Sequence, residues 1–214
     1  MLEYDQRMQK SSSNKKYSDL WTCLSDNKKI WLGSSVSSYP QANIMQNEDY
    51  TYPHDRLAPY SIQTYNKTIW LGSRFDNIYQ VNKQYKTIKT YSSKYADNQR
   101  GHILYPVSDS MMMYGTNRGI GKLNLKTGER SLILKSPPVR SIHLDRKGDF
   151  WAGTRNGLYH VASGKVYLDA VKYLEHIYEG PDGIFWISTS KGLISWKPFS
   201  TQYEIYDKDD GLIS

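Results

Sequence analysis

The sequence has almost no cysteine and no long hydrophobic run. Cys23 is the one cysteine among 214 residues, so the chain cannot form an internal disulfide. It lies in an apolar stretch, which is typical of a small core residue. No stretch approaches the roughly 18 consecutive apolar residues that predict a membrane-spanning helix, so we expect no membrane contact by this segment. The first ten residues are charged and polar, unlike a secretory signal, and any export signal is expected outside this chain.

Common metal-binding and catalytic patterns are also missing. The chain contains five histidines, but it has no HExxH motif, no cysteine and histidine pairs at zinc spacing and no GxSxG motif. Carboxylates such as Asp145, Glu179 and Asp182 border turns, where acids serve turn geometry. A glycosidase needs two carboxyl groups that converge on a sugar, and the sequence does not show such convergence. We therefore predict no metal and no cofactor in this chain, and at this point an enzyme that uses two carboxylates stays an alternative.

Charge is present but is not clustered. The 28 lysines and arginines exceed the 21 acidic residues, which gives a net charge of +7. The basic residues are scattered along the chain, whereas a nucleic-acid-binding protein usually concentrates them in a stripe. The pattern indicates a solvated surface. We predict no nucleic-acid partner.

A repeated segment dominates what the sequence does contain. It reads KKIWLGS (28–34), KTIWLGS (67–73), SMMMYGT (110–116), GDFWAGT (148–154) and GIFWIST (183–189). The anchor position of each copy is occupied by Trp31, Trp70, Met113, Trp151 and Trp186, at intervals of 39, 43, 38 and 35 residues. Repeats of about 40 residues are typical of propeller blades and of some helical arrays. The short alternating runs bounded by glycine, asparagine and lysine favour strands.

The clearest copy predicts four short strands between residues 139 and 169, joined by tight turns. Such an antiparallel meander is a propeller blade. The chain is therefore predicted to be an all-β propeller with about five four-stranded blades. The predicted units are residues 1–16 (the outer strand of a preceding blade or a flanking segment), 17–56 (a degenerate blade 1 without a clean hairpin of third and fourth strands), 57–100 (blade 2), 101–137 (blade 3), 138–171 (blade 4), 172–207 (blade 5) and 208–214 (the entry to a further blade).

The repeated residues have a predicted structural role. A glycine follows the anchor by two positions in four copies, as Gly33, Gly72, Gly115 and Gly153, and serine replaces it in the last copy. We expect neighbouring blades to crowd this position. The anchor side chains are expected to pack between adjacent sheets. Stacking of a ligand on these tryptophans is the alternative.

The segment Phe150–Leu158, FWAGTRNGL, resembles the two-component regulator propeller repeat. The same pattern recurs in Tyr114–Ile120 and Trp186–Leu193, and Tyr206–Ser214 is similar to the entry into a further blade. The resemblance covers about residues 17–214. It implies the periplasmic sensor region of a hybrid two-component system or sensor histidine kinase of Bacteroidetes. Such proteins carry paired seven-bladed propellers, so the resemblance implies part of a larger or tandem propeller. A closed ring of five blades is the alternative.

The resemblance also implies a function. Sensors of this kind respond to glycan fragments, so we expect a non-enzymatic ligand-binding region whose ligand is a glycan-derived oligosaccharide. Its protein partner would be a second copy in a homodimer or other propeller segments of the same protein. Kinase motifs are absent from this chain, so any kinase activity would belong to a parent polypeptide. The alternatives are a lyase or glycoside hydrolase on a propeller scaffold and a passive protein-interaction scaffold.

In such a propeller, the turns between second and third strands and the links between blades are expected on one face, and candidate ligand-binding residues lie there. The turns between second and third strands carry the cations Arg74, Arg118, Arg155 and Lys191. Arginine can clamp a carboxylate or a sulfate with two parallel hydrogen bonds. Tyr60, Tyr105 and Tyr173 lie near the starts of first strands and could offer flat apolar platforms to sugars. The alternative is that these cations and rings are ordinary solvated residues of exposed turns.

Overall fold

The chain forms strands and turns. The computed structural model describes residues 17–26, 29–36, 39–46, 49–54, 59–73, 77–82, 87–92 and 103–212, and side-chain packing from residue 60 onward within these ranges. No helix occurs in this part of the chain. Accordingly, the described residues include no apolar helix of a length that could span a bilayer.

The strands form five sheets of four strands each. Blade 1 contains β1 (Tyr17–Asp26), β2 (Lys29–Val36), β3 (Tyr39–Gln46) and β4 (Asp49–His54). Blade 2 contains β5 (Pro59–Tyr65), β6 (Thr68–Ser73), β7 (Asn77–Val81) and β8 (Thr87–Ser92). Blade 3 contains β9 (Ile103–Ser108), β10 (Met111–Thr116), β11 (Gly119–Asn124) and β12 (Arg130–Lys135). Blade 4 contains β13 (Val139–Leu144), β14 (Phe150–Thr154), β15 (Asn156–His160) and β16 (Val166–Lys172). Blade 5 contains β17 (His176–Glu179), β18 (Phe185–Thr189), β19 (Gly192–Trp196) and β20 (Tyr203–Tyr206).

Each blade is an antiparallel meander in which strands pair in chain order. The first strands of consecutive blades contact one another, β1 with β5, β5 with β9, β9 with β13 and β13 with β17. The sheets therefore radiate from their first strands, which lie nearest the axis along which the central channel of a propeller runs. This arrangement confirms the predicted all-β propeller fold.

Two of the anchor residues, Trp70 and Trp151, form part of the core between successive blades. Trp151 is completely buried and packs against Phe185, Ile187 and Trp196 of blade 5. Its ring meets those of Phe185 and Trp196 edge-on, with centroids 5.4 and 5.6 Å apart. Trp70 is buried in the same way against side chains of blade 3. Full burial of one aromatic side chain stabilises the fold by about 1.5–3 kcal/mol, so these contacts hold successive blades together.

The glycine after the anchor is required by the following blade. A Cβ atom on Gly153 would lie 2.2 Å from the Ser141 hydroxyl and 2.6 Å from the Leu174 carbonyl oxygen. A Cβ atom on Gly115 would lie 2.4 Å from a methyl carbon of Val139. Leu174 lies in the link into blade 5, and Val139 is the first residue of β13 in blade 4, so crowding by the next blade is confirmed at Gly115 and Gly153.

Trp186 occupies the anchor position of blade 5 but is only half-buried. Its place in the repeat is clear because Thr154 and Thr189, three residues after Trp151 and Trp186, make the same hydrogen bond to a glycine carbonyl. In the described residues no sheet follows blade 5, and Trp186 instead lies against Tyr206 of its own blade, with centroids 5.7 Å apart. The expectation that every anchor packs between two sheets is therefore wrong for Trp186 in this structure.

Two other boundaries differ from the sequence-based expectation. Blade 1 was expected to lack a clean hairpin of third and fourth strands, yet β3 and β4 pair there. The first strand of blade 5 was expected to begin at Tyr173, whereas β17 begins at His176. The reason is the left-handed backbone of Tyr173, whose φ of 55° is incompatible with an extended strand. Residues 1–16 and 213–214 lie outside the described residues, so the proposed flanking strand and part of the blade entry are untested.

Candidate ligand site at the mouth of the central channel

Two kinds of connection meet at one end of the propeller. These are the turns between second and third strands, called here B–C turns, and the links between blades. The amide of Ser136 in the link before blade 4 donates to the Arg118 carbonyl, at 3.2 Å. The amide of Tyr173 in the link before blade 5 donates to the Arg155 carbonyl, at 3.1 Å. Both carbonyls belong to B–C turns, so these connections share one end of the molecule, as predicted.

Bulges in the innermost strands place side chains at this end. The pairing of β5 with β6 shifts between Pro59 and Ser61, which leaves Tyr60 as the extra residue. The pairing of β13 with β14 shifts in the same way around Arg140. A bulge turns the local strand and redirects a side chain. Tyr60 and Arg140 therefore hold equivalent positions in blades 2 and 4, next to the B–C turns and at the mouth of the channel.

Arg140 joins three blades at this mouth. Its Nη1 donates a hydrogen bond of 2.9 Å to the Tyr60 hydroxyl, which links blade 4 to blade 2 across 80 residues of sequence. Its Nε lies 3.9 Å from a carboxylate oxygen of Glu175. Glu175 directly precedes β17 and lies at the corresponding position of blade 5, because its amide donates to Ser188, the equivalent of Gly153.

An aromatic ring lies close to two arginines at the same place. The guanidinium carbons of Arg140 and Arg155 lie 5.8 and 5.3 Å from the centre of the Tyr173 ring. Both distances are within the range of cation–π attraction. The left-handed conformation of Tyr173 is unusual for a bulky residue, and such strain is concentrated at binding and catalytic sites. Tyr60, Arg140, Arg155, Tyr173 and Glu175 are called the channel-mouth cluster from here on.

The cluster contains a hydrogen-bond donor that lacks an acceptor in the described part of the chain. It combines two guanidinium groups with one carboxylate, so its formal charge is positive. Arg140 Nε is shielded from solvent and has no hydrogen-bond partner among the described residues. A buried donor without an acceptor is unfavourable. The cluster is therefore suited to an acceptor group supplied by a ligand, with tyrosine rings beside it as apolar platforms.

The residues predicted from sequence are distributed unevenly. Tyr60, Tyr173 and Arg155 belong to the channel-mouth cluster. Arg118 and Lys191 are exposed on the B–C turns of blades 3 and 5. Tyr105 lies in the wall between blades 3 and 4, where it meets Phe150 edge-on with centroids 5.8 Å apart. Arg74 lies outside the described residues.

Sequence reasoning missed Arg140 and Glu175. A signal was present, because each of them precedes the anchor of its blade by 11 residues and Tyr60 precedes its anchor by 10. The equivalent residues of blades 1 and 3 are Trp21 and His102, whose side chains are not described. In an alignment of the five copies by the start of the first strand and by the anchor, these residues share one position.

The opposite end of blade 4 has a different character. The carboxylate of Asp145, which is almost fully buried, accepts hydrogen bonds from the Trp151 indole at 2.9 Å and from the amides of Lys147 and Asp149 at 2.9 and 2.8 Å. Burial alone would raise the pKa of Asp145, but these hydrogen bonds outweigh it, so the pKa lies below its ordinary value. A carboxylate engaged in this way serves the turn, and it is not a free acid or base.

Histidines and acids at this end also bridge blades 4 and 5. His143 Nε2 lies 3.5 Å from the Glu179 carboxylate, which also accepts the Arg146 amide at 3.0 Å. Burial lowers the pKa of His143, although the nearby Glu179 opposes this shift. Among the described residues no group of three or more histidine, cysteine or acidic side chains could hold a metal ion.

Comparisons with known proteins support the fold. Neither family models nor curated protein sequences give a match. Among solved structures, the extracellular domain of the putative hybrid two-component system BT3049 from B. thetaiotaomicron is similar with a TM-score of 0.70 and 20% identity, over 94% of this chain and 30% of that one. The extracellular domain of the putative one-component system BT4673 from the same organism gives 0.65 and 16%, over 89% of this chain and 28% of that one. The WD40 propeller domain of Doa1 gives 0.60 and 16%, over 81% of this chain and 61% of that one. The chain thus has a β-propeller fold and spans less than a third of the two bacterial proteins.

Proposed function

We propose that the chain is the ligand-binding part of an extracytoplasmic sensor in a two-component signalling protein. The likeness to two extracellular domains of bacterial signalling systems supports this role, as does the resemblance of its repeats to the regulator propeller family. The ligand class is a glycan-derived oligosaccharide. The chain is non-enzymatic and operates in the periplasm, as part of a longer polypeptide or with a second copy.

The observation that carries this proposal is the channel-mouth cluster. Tyr173 presents an aromatic ring close to Arg140 and Arg155, and the Tyr60 hydroxyl is fixed by Arg140. Oligosaccharides present both apolar ring faces and hydroxyl groups, so a sugar site needs aromatic platforms beside hydrogen-bonding groups. The cluster supplies both at the end of the molecule where turns and links are accessible.

The position of the cluster suggests how binding is transmitted. Tyr173 and Glu175 belong to the link that opens blade 5, and the amide of Leu174 between them bonds to Thr154 of blade 4 at 3.0 Å. A ligand that contacts this link changes the relative energies of the arrangements of blades 4 and 5. Those blades then present a different surface to a second copy or to other propeller segments.

Calorimetric titration against a panel of oligosaccharides tests the proposal. Tyr173→Ala should weaken the binding of any sugar found by about fivefold or more, because an aromatic platform contributes about 1 kcal/mol or more beyond ordinary contacts. Tyr178→Ala is the matched control, since Tyr178 in β17 is 58% exposed and lies outside the cluster. Equal losses in both variants, or no binding to any sugar, would overturn the proposal.

The exposed cations of the B–C turns are tested separately. Reversal of Arg118 and Arg155 to glutamate should abolish binding of an acidic oligosaccharide while circular dichroism stays unchanged, since both side chains are exposed. Product analysis of the same mixtures distinguishes a sensor from a lyase or hydrolase. A sensor releases its ligand unaltered, whereas accumulation of shorter or unsaturated sugars would show an enzyme.

A further inference from the structure

We propose that Arg140 is the core of an oxyanion subsite and that the ligand of the channel-mouth cluster carries a carboxylate or sulfate group. This inference rests on the proposed function for the position of the ligand and for its sugar component. It adds the charge class of the ligand and the protein group that the ligand displaces, which is the carboxylate of Glu175.

The guanidinium of Arg140 is held in place but is incompletely used. Its Nη1 is fixed by the hydrogen bond to Tyr60, and its guanidinium carbon lies 5.8 Å from the centre of the Tyr173 ring. Its Nε is buried without a hydrogen-bond partner among the described residues. The Glu175 oxygen at 3.9 Å is too distant for a hydrogen bond. A carboxylate or sulfate oxygen at ordinary hydrogen-bonding distance would satisfy this donor, which no group of the described protein does.

The charge of the cluster favours an anion for a second reason. Arg140 and Arg155 both approach the ring of Tyr173, and Glu175 is the one carboxylate of the cluster. A second negative group would balance the remaining positive charge in a partly desolvated place, where charge-assisted hydrogen bonds are stronger than in water. Arginine suits this purpose because its planar fork matches the geometry of oxyanions.

Glu175 occupies the position that the ligand group would take. Its side chain is 48% exposed, so its carboxylate can rotate into solvent. Its amide is fixed by the hydrogen bond to Ser188, so the backbone does not need to move. The side chain therefore competes with the ligand for Arg140, and removing its charge should strengthen the binding of an anion.

Matched ligands test the inference by calorimetry. The probes are trigalacturonate, its fully methyl-esterified form, a sulfated galactose trisaccharide and neutral galactotriose. We expect the acid or the sulfated sugar to bind, and the ester and the neutral sugar to bind at least about tenfold more weakly, as expected for loss of one charge-assisted contact. Arg140→Gln should weaken the binding of the anionic sugar by about tenfold to a hundredfold and leave the affinity for the ester unchanged. Glu175→Gln should raise the affinity for the anionic sugar by a few-fold.

Two controls complete the experiment. Lys126→Gln removes an exposed cation from the opposite end of blade 3 and should change no affinity, which excludes a general effect of net charge. Circular dichroism and thermal melting verify that Arg140→Gln is folded. If that variant has a lower melting temperature, the affinity of Glu175→Gln for the anionic sugar tests the inference by itself, since the removal of an exposed carboxylate leaves the fold intact.

The outcomes separate this inference from the proposed function. Equal affinity for the acid and its ester, unchanged affinity in Arg140→Gln, or no gain in Glu175→Gln would overturn the oxyanion subsite while the sugar-sensing proposal stands. If no trisaccharide binds but methyl sulfate or acetate binds in an Arg140-dependent manner, the subsite stands and the sugar proposal fails. Absence of all binding refutes both.

Discussion

The indole nitrogen of Trp151 donates a hydrogen bond of 2.9 Å to the carboxylate of Asp145. This bond joins a completely buried anchor to the turn that closes the inner hairpin of blade 4. The same carboxylate accepts the amides of Lys147 and Asp149. The turn and the core between blades therefore depend on one acidic side chain.

Asp145→Ala should lower the free energy of unfolding by about 3 kcal/mol. The substitution leaves the Trp151 indole and two amides without an acceptor, and each buried donor left unpaired costs about 1–3 kcal/mol. Urea denaturation measures the change. Asp182→Ala is the control, because that exposed carboxylate accepts the Ile184 amide and its loss should cost less than about 1 kcal/mol. Similar costs for both variants would show that the Asp145 hydrogen bonds are not formed in solution.

Asp145 should also make stability depend on acidity. Its pKa is lower in the folded protein than its ordinary value, so the unfolded chain binds its proton first as the pH falls. The stabilisation is complete above about pH 4 and is lost as the pH falls through the depressed folded pKa. Denaturation from pH 7 to pH 3 should show a steeper loss in the native protein than in Asp145→Asn. Parallel curves would contradict this prediction.

Trp151→Ala and Trp186→Ala should have very different effects although the two residues hold the same repeat position. Trp151 is fully buried between blades 4 and 5, so its truncation should cost about 3–5 kcal/mol. Trp186 is half-buried against Tyr206, so its truncation should cost about 1 kcal/mol. Denaturant melts of the isolated chain decide. A cost near zero for Trp151→Ala would mean that the anchor is not buried in solution.

Gly153→Ala should destabilise the protein by about 1–3 kcal/mol, as overpacking of a close contact does. The added methyl would meet the Leu174 carbonyl oxygen at 2.6 Å, and this backbone atom cannot move without shifting the link into blade 5. Gly180→Ala is the matched control, since its methyl would meet only the movable end of Asp182 at comparably short distance. Thermal melting should show a clear loss for the first variant and little change for the second. The reverse order would exclude crowding by the link.

His143 should contribute a second dependence on pH, at milder acidity. Burial lowers its pKa below the ordinary value of 6.5 in the folded state, so the unfolded chain takes up a proton more readily. Stability from this group is therefore complete above about pH 6.5 and falls as the pH decreases toward the folded pKa. His143→Gln should flatten the stability profile between pH 7.5 and pH 5. An unchanged slope would mean that His143 is solvated.

The repeat could be predicted from sequence because its causes are local. Anchors such as Trp151 and glycines such as Gly153 recur at a fixed spacing, and one sheet needs the same residues at the same place in every copy. These positions identified the fold class and the strand order. The half-burial of Trp186 could not be inferred in this way, because it depends on whether a sheet follows and not on the residues of blade 5.

The candidate site could be predicted only in part for a different reason. Tyr60, Arg155 and Tyr173 stood out as aromatic or cationic residues near turns. Arg140 lies inside a predicted strand, and its approach to Tyr60 across 80 residues depends on two bulges and on the curvature of the ring. Neither feature has a sequence signal of its own, so the contact appears only when the blades are assembled.

Because each link donates hydrogen bonds to the preceding B–C turn, the stability of a blade depends on the presence of the link and blade that follow it. Tyr173 and Leu174 satisfy carbonyl groups of Arg155 and Thr154, and blade 5 covers Trp151. A chain shortened to end before Tyr173 would present a bare tryptophan to water beside two carbonyls that have lost their donors. Such a product would associate with other sheets through this exposed surface. Proteolysis that removes blade 5 is therefore expected to cause aggregation and not to yield a smaller soluble propeller.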